Sequence, residues 1–261
     1  MKKTALVTGA SRGIGRAMAL TLARRGYDLL LTARSADQLE QVAAEARHLG
    51  RSAQVLPLDL ASAGAATQLA AWVASQTQEL VVLVNNAGYG LWGRFEELPL
   101  AQQQNMLQLN MHLPVELTYA LLPLLRRQPR AYILNVASTA AYQAVPTLTL
   151  YAASKAFLLS FSRGLRYELR ETGVSVTCLS PGATTTDFAD RAGMNSDLQA
   201  VANKVSMTAE QVAEAGIAAL LAGEAEIIPG ALNKVSAALT SLVPKGLTER
   251  IAAGIYEKHL K

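Results

Sequence analysis

Tyr151 and Lys155 stand four residues apart in Tyr151-Ala-Ala-Ser-Lys155, a spacing that puts both side chains on one face of a helix. A free phenol has a pKa of about 10 and is a poor acid–base catalyst near neutral pH. An ammonium group beside it favours phenolate and lowers that value, which makes the pair a candidate general acid or base. Ser138 follows a β-rich run, and its hydroxyl could hold a substrate carbonyl oxygen. A second set lies near the start. Thr8-Gly9-Ala10-Ser11-Arg12-Gly13-Ile14-Gly15 joins a β-rich run to a helical one. Glycines at 9, 13 and 15 permit a tight turn, close approach of a pyrophosphate and close helix–strand packing. The helix N-terminus would offer free N–H groups to phosphate. Arg12 and Arg34 suit a 2′-phosphate, because guanidinium forks match its oxygens. A carboxylate for ribose hydroxyls is missing there: Asp28 is at the wrong end of the second β-rich run, and Asp37 lies inside the helix that follows. Singly, each residue has a plainer role: Tyr151 in packing, Lys155, Arg12 and Arg34 in solvent, Ser138 and the glycines in turns.

These residues need elements to position them. β-rich runs are expected at Thr4–Thr8, Leu29–Thr32, Ala53–Leu56, Leu80–Val84, Tyr132–Val136, Val174–Leu179 and Glu226–Ile228. Helical patterns fall between them, at about Gly13–Arg25, Ala36–Leu49, Ser62–Gln76, Gln102–Arg126 with an adjustment near Pro114, and Tyr151–Glu171. Thr208 with Gln211 reads as a capping box, and Gly223 as the stop of that helix. Alternating βα units specify an open parallel sheet covered on both faces. Ser138 would then sit at the carboxyl edge, where ligands bind in such sheets.

With 261 residues, 51% hydrophobic and 17% charged, the chain can bury a full core without staples. Its single cysteine, Cys178, forms no intrachain disulfide and reads as a small buried hydrophobe. The net charge of +4 is mild, aromatic residues are 5% and no dense Lys/Arg run occurs, so nucleic-acid binding is not expected. Ala5-Leu6-Val7 is too short for a signal-peptide core, and the apolar stretch near Leu117–Leu125 is too short to span a bilayer. A cytoplasmic protein is expected. His48, His112 and His259 show no metal-ligand spacing, and no metal is expected.

Taken together, the set resembles the short-chain dehydrogenase/reductase family, from about Lys3 to Ile228. The glycine loop is similar to that family's T-G-x-x-x-G-x-G, and Asn85-Asn86-Ala87-Gly88 to its N-N-A-G. Asp59-Leu60 looks like its adenine-pocket pair, and Pro181-Gly182 like its P-G, with Thr184 and Thr186 where the nicotinamide amide is met. Asn110, Ser138, Tyr151 and Lys155 fall in the order of its catalytic tetrad. The resemblance implies a Rossmann-type α/β fold: a doubly wound, seven-stranded parallel sheet with helices on both faces, as a single domain with a helical tail. It also implies NADP(H)-dependent hydride transfer to a carbonyl. Tyr151 would donate the proton, Lys155 would lower the Tyr151 pKa and bind the nicotinamide ribose, Ser138 would orient the carbonyl, and Asn110 would hold a relay water.

The expected organisation is a dehydrogenase domain over residues 1–229, with a substrate lid at 183–206 and a basic helical tail at 230–261. Trp92, Tyr142, Val145 and Phe188 are the candidate substrate pocket, which would suit an apolar or amphipathic carbonyl compound. A 3-oxoacyl thioester is the narrower alternative, and a non-catalytic NADP-binding regulator or scaffold the rival from another class. The tail carries Lys234, Lys245, Arg250, Lys258 and Lys261 against Glu249 and Glu257, a charge suited to a peripheral membrane surface or an acyl carrier. A homodimer is expected, because the tail replaces the short ending that adds a second contact in tetrameric family members.

Overall fold

The structure is a computed structural model that describes residues 3–203 and 206–260. The chain runs β1 (Thr4–Thr8), α1 (Gly13–Arg24), β2 (Asp28–Ala33), α2 (Ala36–His48), β3 (Ala53–Pro57), α3 (Ala65–Gln76) and β4 (Leu80–Asn85). Next come α4 (Leu100–Leu107), a π-helical turn (Gln108–His112), α5 (Leu113–Arg126), β5 (Ala131–Val136), a 3₁₀ turn (Thr139–Tyr142), α6 (Thr149–Glu168) and β6 (Val174–Leu179). The remainder is β7 (Thr184–Thr185), α7 (Phe188–Arg191), α8 (Ser196–Asn203), β8 (Met207–Thr208), α9 (Ala209–Ala222), β9 (Glu226–Ile227), α10 (Ala231–Leu242), α11 (Lys245–Tyr256) and a last 3₁₀ turn (Glu257–His259).

Seven strands form one parallel sheet in the order β3-β2-β1-β4-β5-β6-β9. β1, β4 and β5 are buried at every position, as their largely apolar runs require when helices cover both faces. Side chains of α1, α2 and α9 pack on one face, and those of α3, α5 and α6 on the other. The order reverses between β1 and β4, which opens a crevice at their carboxyl ends.

A chain of buried polar groups fastens β4 and β5 to the helices above them. Asn85 Nδ2 donates to Thr118 Oγ1 of α5 at 3.1 Å and to Asn135 Oδ1 at 2.8 Å. Asn135 Nδ2 donates to Ser162 Oγ of α6 at 2.9 Å, and Ser162 Oγ donates onward to the Leu158 carbonyl at 2.6 Å.

Three boundaries differ from expectation, each for a local reason. The third helix starts at Ala65 rather than Ser62, because Gly64 stands at φ +75° and Ser62 N donates to the Asp59 carbonyl in a turn. The helix expected over Gln102–Arg126 is broken by the π turn at Gln108–His112. Pro114 has no N–H to give to the Asn110 carbonyl four residues earlier, so regular winding cannot pass that point. An added two-stranded ladder, β7 with β8, pins both ends of the expected lid. Lys204 and Val205 of that lid lie outside the described residues. The capping box is present, with the Thr208 side chain and Gln211 bonding reciprocally, and Gly223 ends α9 at φ +75°.

Candidate active site

The glycine loop is shaped by contacts that leave no room for side chains. Thr8 Oγ1 donates to the Val84 carbonyl at 3.1 Å and accepts from the Asn86 and Ala87 amides at 3.0 Å each, joining β1 to β4. Asn86 Nδ2 donates to the Thr8 carbonyl at 2.9 Å and the Gly9 carbonyl at 3.2 Å. Gly9 stands at φ +65°, and a Cβ on Gly15 would lie 2.2 Å from the Gly9 oxygen. α1 then begins with no side-chain cap and no acidic residue in its first turn, an N-terminus left open to an anion.

That terminus faces a cavity of about 1370 Å³. Gly9, Ser11, Arg12, Gly13, Ile14 and Gly15 line it, as do Arg34, Asp59, Leu60, Asn86, Ala87 and Gly88. Pro181, Gly182, Thr184 and Thr186 line it beyond β6, and Ser138, Tyr151 and Lys155 line the wall made by β5 and α6. The structure thus gathers the expected cofactor residues and three of the four tetrad residues around one space. Among the described residues no group of His, Cys, Asp and Glu is placed to hold a metal.

Asn110 lies outside that lining, buried in the π turn. Its Nδ2 donates to the Tyr89 carbonyl at 3.0 Å and to Ser154 Oγ at 3.1 Å, and its Oδ1 accepts from the Tyr89 amide at 3.2 Å. Both amide protons are used, so the side chain braces the Asn-Asn-Ala-Gly loop against α6. A Cβ on Gly88 would stand 2.8 Å from Asn110 Oδ1 and 3.5 Å from Lys155 Nζ, which accounts for a glycine there.

Ser138 Oγ accepts from the Ala140 amide at 3.1 Å and lines the cavity with the Tyr151 phenol. Burial pushes the Tyr151 pKa up to about 12; the Ser138 hydroxyl opposes this, and Tyr256 adds to it. Lys155 Nζ donates to the Val136 carbonyl at 2.8 Å and lies 5.8 Å from the Tyr151 ring centre. Burial pushes Lys155 down to about 8. The expected lowering of the Tyr151 pKa by Lys155 is not seen: desolvation raises that pKa, and Lys155 Nζ is turned to a backbone oxygen.

A stability prediction follows for Lys155. Between pH 8 and 10.5 the native chain binds fewer protons here than the unfolded chain, so its stability rises with pH across that window. Below it the full burial penalty applies. Lys155→Met should therefore be more stable than the wild type at pH 7 by about 1–3 kcal/mol, a gain that fades toward pH 10. Thermal melts of both proteins at several pH values check this.

Two of the four expected pocket residues are placed elsewhere. Val145 and Phe188 line the cavity, with Phe188 5.3 Å from the Tyr151 ring centre. Tyr142 instead points toward the sheet edge, donating to Glu226 Oε1 of β9 at 2.7 Å and meeting Ser180 Oγ at 3.0 Å. Trp92 packs beneath the site in the cluster around Met106, Val145 and Leu148. Sequence reasoning also missed Arg191 of α7. It lines the cavity with Arg12 and Arg34, its guanidinium lies 5.9 Å from the Tyr89 ring centre, and burial with both arginines holds its pKa below the usual value. Arg12 is meanwhile held by Asp187 at 3.2 Å. Tyr256 was missed too: α10 and α11 fold back over the cavity, and no local motif announces so distant a contact.

Residues 3–197 match the short chain dehydrogenase family. A ketoacyl reductase from a Nostoc species, HetN, is 33% identical over 247 residues, covering 92% of this chain and 83% of that protein. A serine 3-dehydrogenase from Agrobacterium fabrum is 34% identical over 189 residues, covering 72% of this chain and 74% of its own. Among solved structures, a short-chain dehydrogenase from Sphingobium yanoikuyae in complex with NADPH superposes with a TM-score of 0.81 at 28% identity, covering 93% of this chain and 97% of that one. The family match starts before the first strand and runs through the glycine loop, Tyr151 and Lys155 into the segment above the cavity, and the chain therefore belongs to the short-chain dehydrogenase/reductase family of oxidoreductase enzymes.

Proposed function

We propose that this enzyme reduces a ketone or aldehyde to an alcohol with NADPH, with Tyr151 as the general acid. The observation that carries this is convergence: Ser138, Tyr151 and Lys155 form one wall of the cavity that the glycine loop and Arg34 close from the other side. The residues present fit the dinucleotide, since the loop has no space for Cβ atoms and the N-terminus of α1 is uncapped. When bound, NADPH supplies the hydride. Ser138 holds the carbonyl oxygen, and Tyr151 gives that oxygen its proton as negative charge develops there. Lys155 reaches the same wall, where its ammonium would meet the nicotinamide ribose. Asn110 acts as a positioning residue through Gly88 and Ser154.

Arg12 and Arg34 read the 2′-phosphate in this proposal. NADPH should bind at least about tenfold tighter than NADH, a difference of about 1.4 kcal/mol. Arg12→Ala with Arg34→Ala should remove most of that gap in fluorescence titrations. Equal wild-type affinity for the two cofactors would take these arginines out of cofactor choice.

The substrate side is apolar, with Val145, Leu148, Phe188 and Met194 beside Tyr151, and suits an apolar or amphipathic carbonyl compound. A 3-oxoacyl thioester is the second reading, supported by the likeness to the Nostoc ketoacyl reductase over 92% of this chain. A scaffold without turnover is disfavoured, because nucleotide binding alone gives Ser138 no part in the cavity wall beside Tyr151. We further propose a cytoplasmic homodimer paired through α4, α5 and α6, where Tyr119 and Tyr167 are exposed and Phe157 stacks on Phe161. Oxidation of NADPH against a panel of apolar ketones, aldehydes and 3-oxoacyl thioesters tests the reaction. Turnover with none of them would reject it.

A further inference from the structure

The segment after Gly230 carries an apolar face that the reaction does not explain. On α10, Leu232, Val235, Leu239 and Leu242 share one side of the helix and are 77%, 57%, 51% and 80% exposed, while Ala237 on the opposite side is buried. On α11, Leu247, Ile251 and Ile255 recur at every fourth position and are also exposed, while Thr248 and Ala252 face inward. Surface helices normally turn their large apolar side chains to the core. Here the fully inward positions Ala237, Thr248 and Ala252 are small, and of the large residues only Tyr256 is turned well in toward the cavity. Lys234, Lys245, Arg250 and Lys258 stand exposed on the same segment, outnumbering the exposed Glu249 and Glu257.

We propose that α10 and α11 seat the enzyme on an anionic lipid bilayer, lying in the headgroup plane with this apolar face inserted. Among the described residues no helix is long and apolar enough to cross a membrane, so the helices lie on the surface rather than through it. The charge is complementary: each lysine or arginine held near an anionic leaflet strengthens attachment. A second copy of the chain is the poorer occupant. A two-fold contact would bring the same basic patch against itself, and like charges so placed oppose association. Leu239, Ile251 and Ile255 belong both to this face and to the cavity lining. The cavity mouth therefore opens where lipid would lie, and a bilayer-dissolved carbonyl compound could reach Tyr151 without crossing water. That corollary rests on the proposed reduction; the seating does not.

The test is sedimentation of the full chain with phosphatidylcholine vesicles, with and without phosphatidylglycerol, in the absence of cofactor and carbonyl. The chain should pellet with the anionic vesicles, stay in solution with the neutral ones, and be released by high salt. Leu232→Glu, Leu242→Glu and Leu247→Glu combined should lower partitioning at least about tenfold. These positions are exposed and outside the cavity lining, so NADPH binding should be unchanged and reports that the variant folds. Wild-type chain that ignores anionic vesicles, or a triple variant that binds them as well as wild type, would overturn the proposal. So would a triple variant that splits a larger assembly in light scattering while the wild type binds no vesicles, since the face would then be a subunit contact. Vesicle binding without turnover on any carbonyl would uphold the seating and reject the reaction alone.

Discussion

Tyr151→Phe is expected to remove carbonyl reduction, lowering kcat by about 10²–10⁴-fold, the range typical of a general acid–base group. The substitution deletes one hydroxyl from a buried ring and leaves the packing against Phe188 in place. NADPH affinity should hardly move, because the glycine loop and the uncapped end of α1 are untouched. The burial that raises the Tyr151 pKa to about 12 also keeps the phenol protonated throughout the neutral range in the cofactor-free chain. In the proposed reaction the acid would thus be loaded before substrate arrives, and Tyr151 should impose no loss of its acid form in the free enzyme below about pH 9. Steady-state kinetics with NADPH and one active ketone settle the matter: a Phe variant with near wild-type kcat would remove Tyr151 from the chemistry.

The second large effect is expected at Gly15. A methyl group there would stand 2.2 Å from the Gly9 carbonyl oxygen and 2.4 Å from Asn86 Nδ2. Neither neighbour is the free end of a flexible side chain: one is backbone, and the other is fixed by two hydrogen bonds to the loop. Gly15→Ala should therefore force β1 and α1 apart, costing about 1–3 kcal/mol as overpacking generally does, and abolish measurable NADPH binding. Gly254→Ala is the matched control. It lies within α11 with nothing near its added methyl, so helix propensity favours the change by up to about 1 kcal/mol. Thermal melts with and without NADPH compare the two. A stable Gly15→Ala that still binds NADPH would show that the loop is looser than these distances allow.

Much of this architecture was legible because the signals were local. The buried strands read as short, largely apolar β-rich runs, and β1 and β6 begin and end where the pattern does. The glycine loop declared itself through conformations only glycine adopts. The failures share a different cause. Tyr142 sits near Ser138 in sequence, yet its partner Glu226 comes from the far edge of the sheet, and that bond turns the ring away from the cavity. Lys155 sits one turn from Tyr151, yet its ammonium is turned to the Val136 carbonyl and burial raises the phenol pKa, and burial is a property of the whole fold. Arg191 and Tyr256 reach the site from segments with no motif of their own.

The Thr118–Asn85–Asn135–Ser162 chain has a consequence for which substitutions the protein can accept. Ser162 stands on the same helix as Tyr151 and Lys155, about three turns beyond the first and two beyond the second. Its link to Asn135 acts as an index mark, allowing α6 one translation and one rotation on the sheet. A fully greasy contact would let the helix creep by a fraction of a turn at little expense, and the phenol would creep with it. Losing any one member would leave its neighbour short of a partner in a dry interior. Change here should therefore come in concerted sets, and a lineage that replaced the whole chain with aliphatic side chains would keep the fold while giving up the fixed setting of the wall that carries Tyr151 and Lys155.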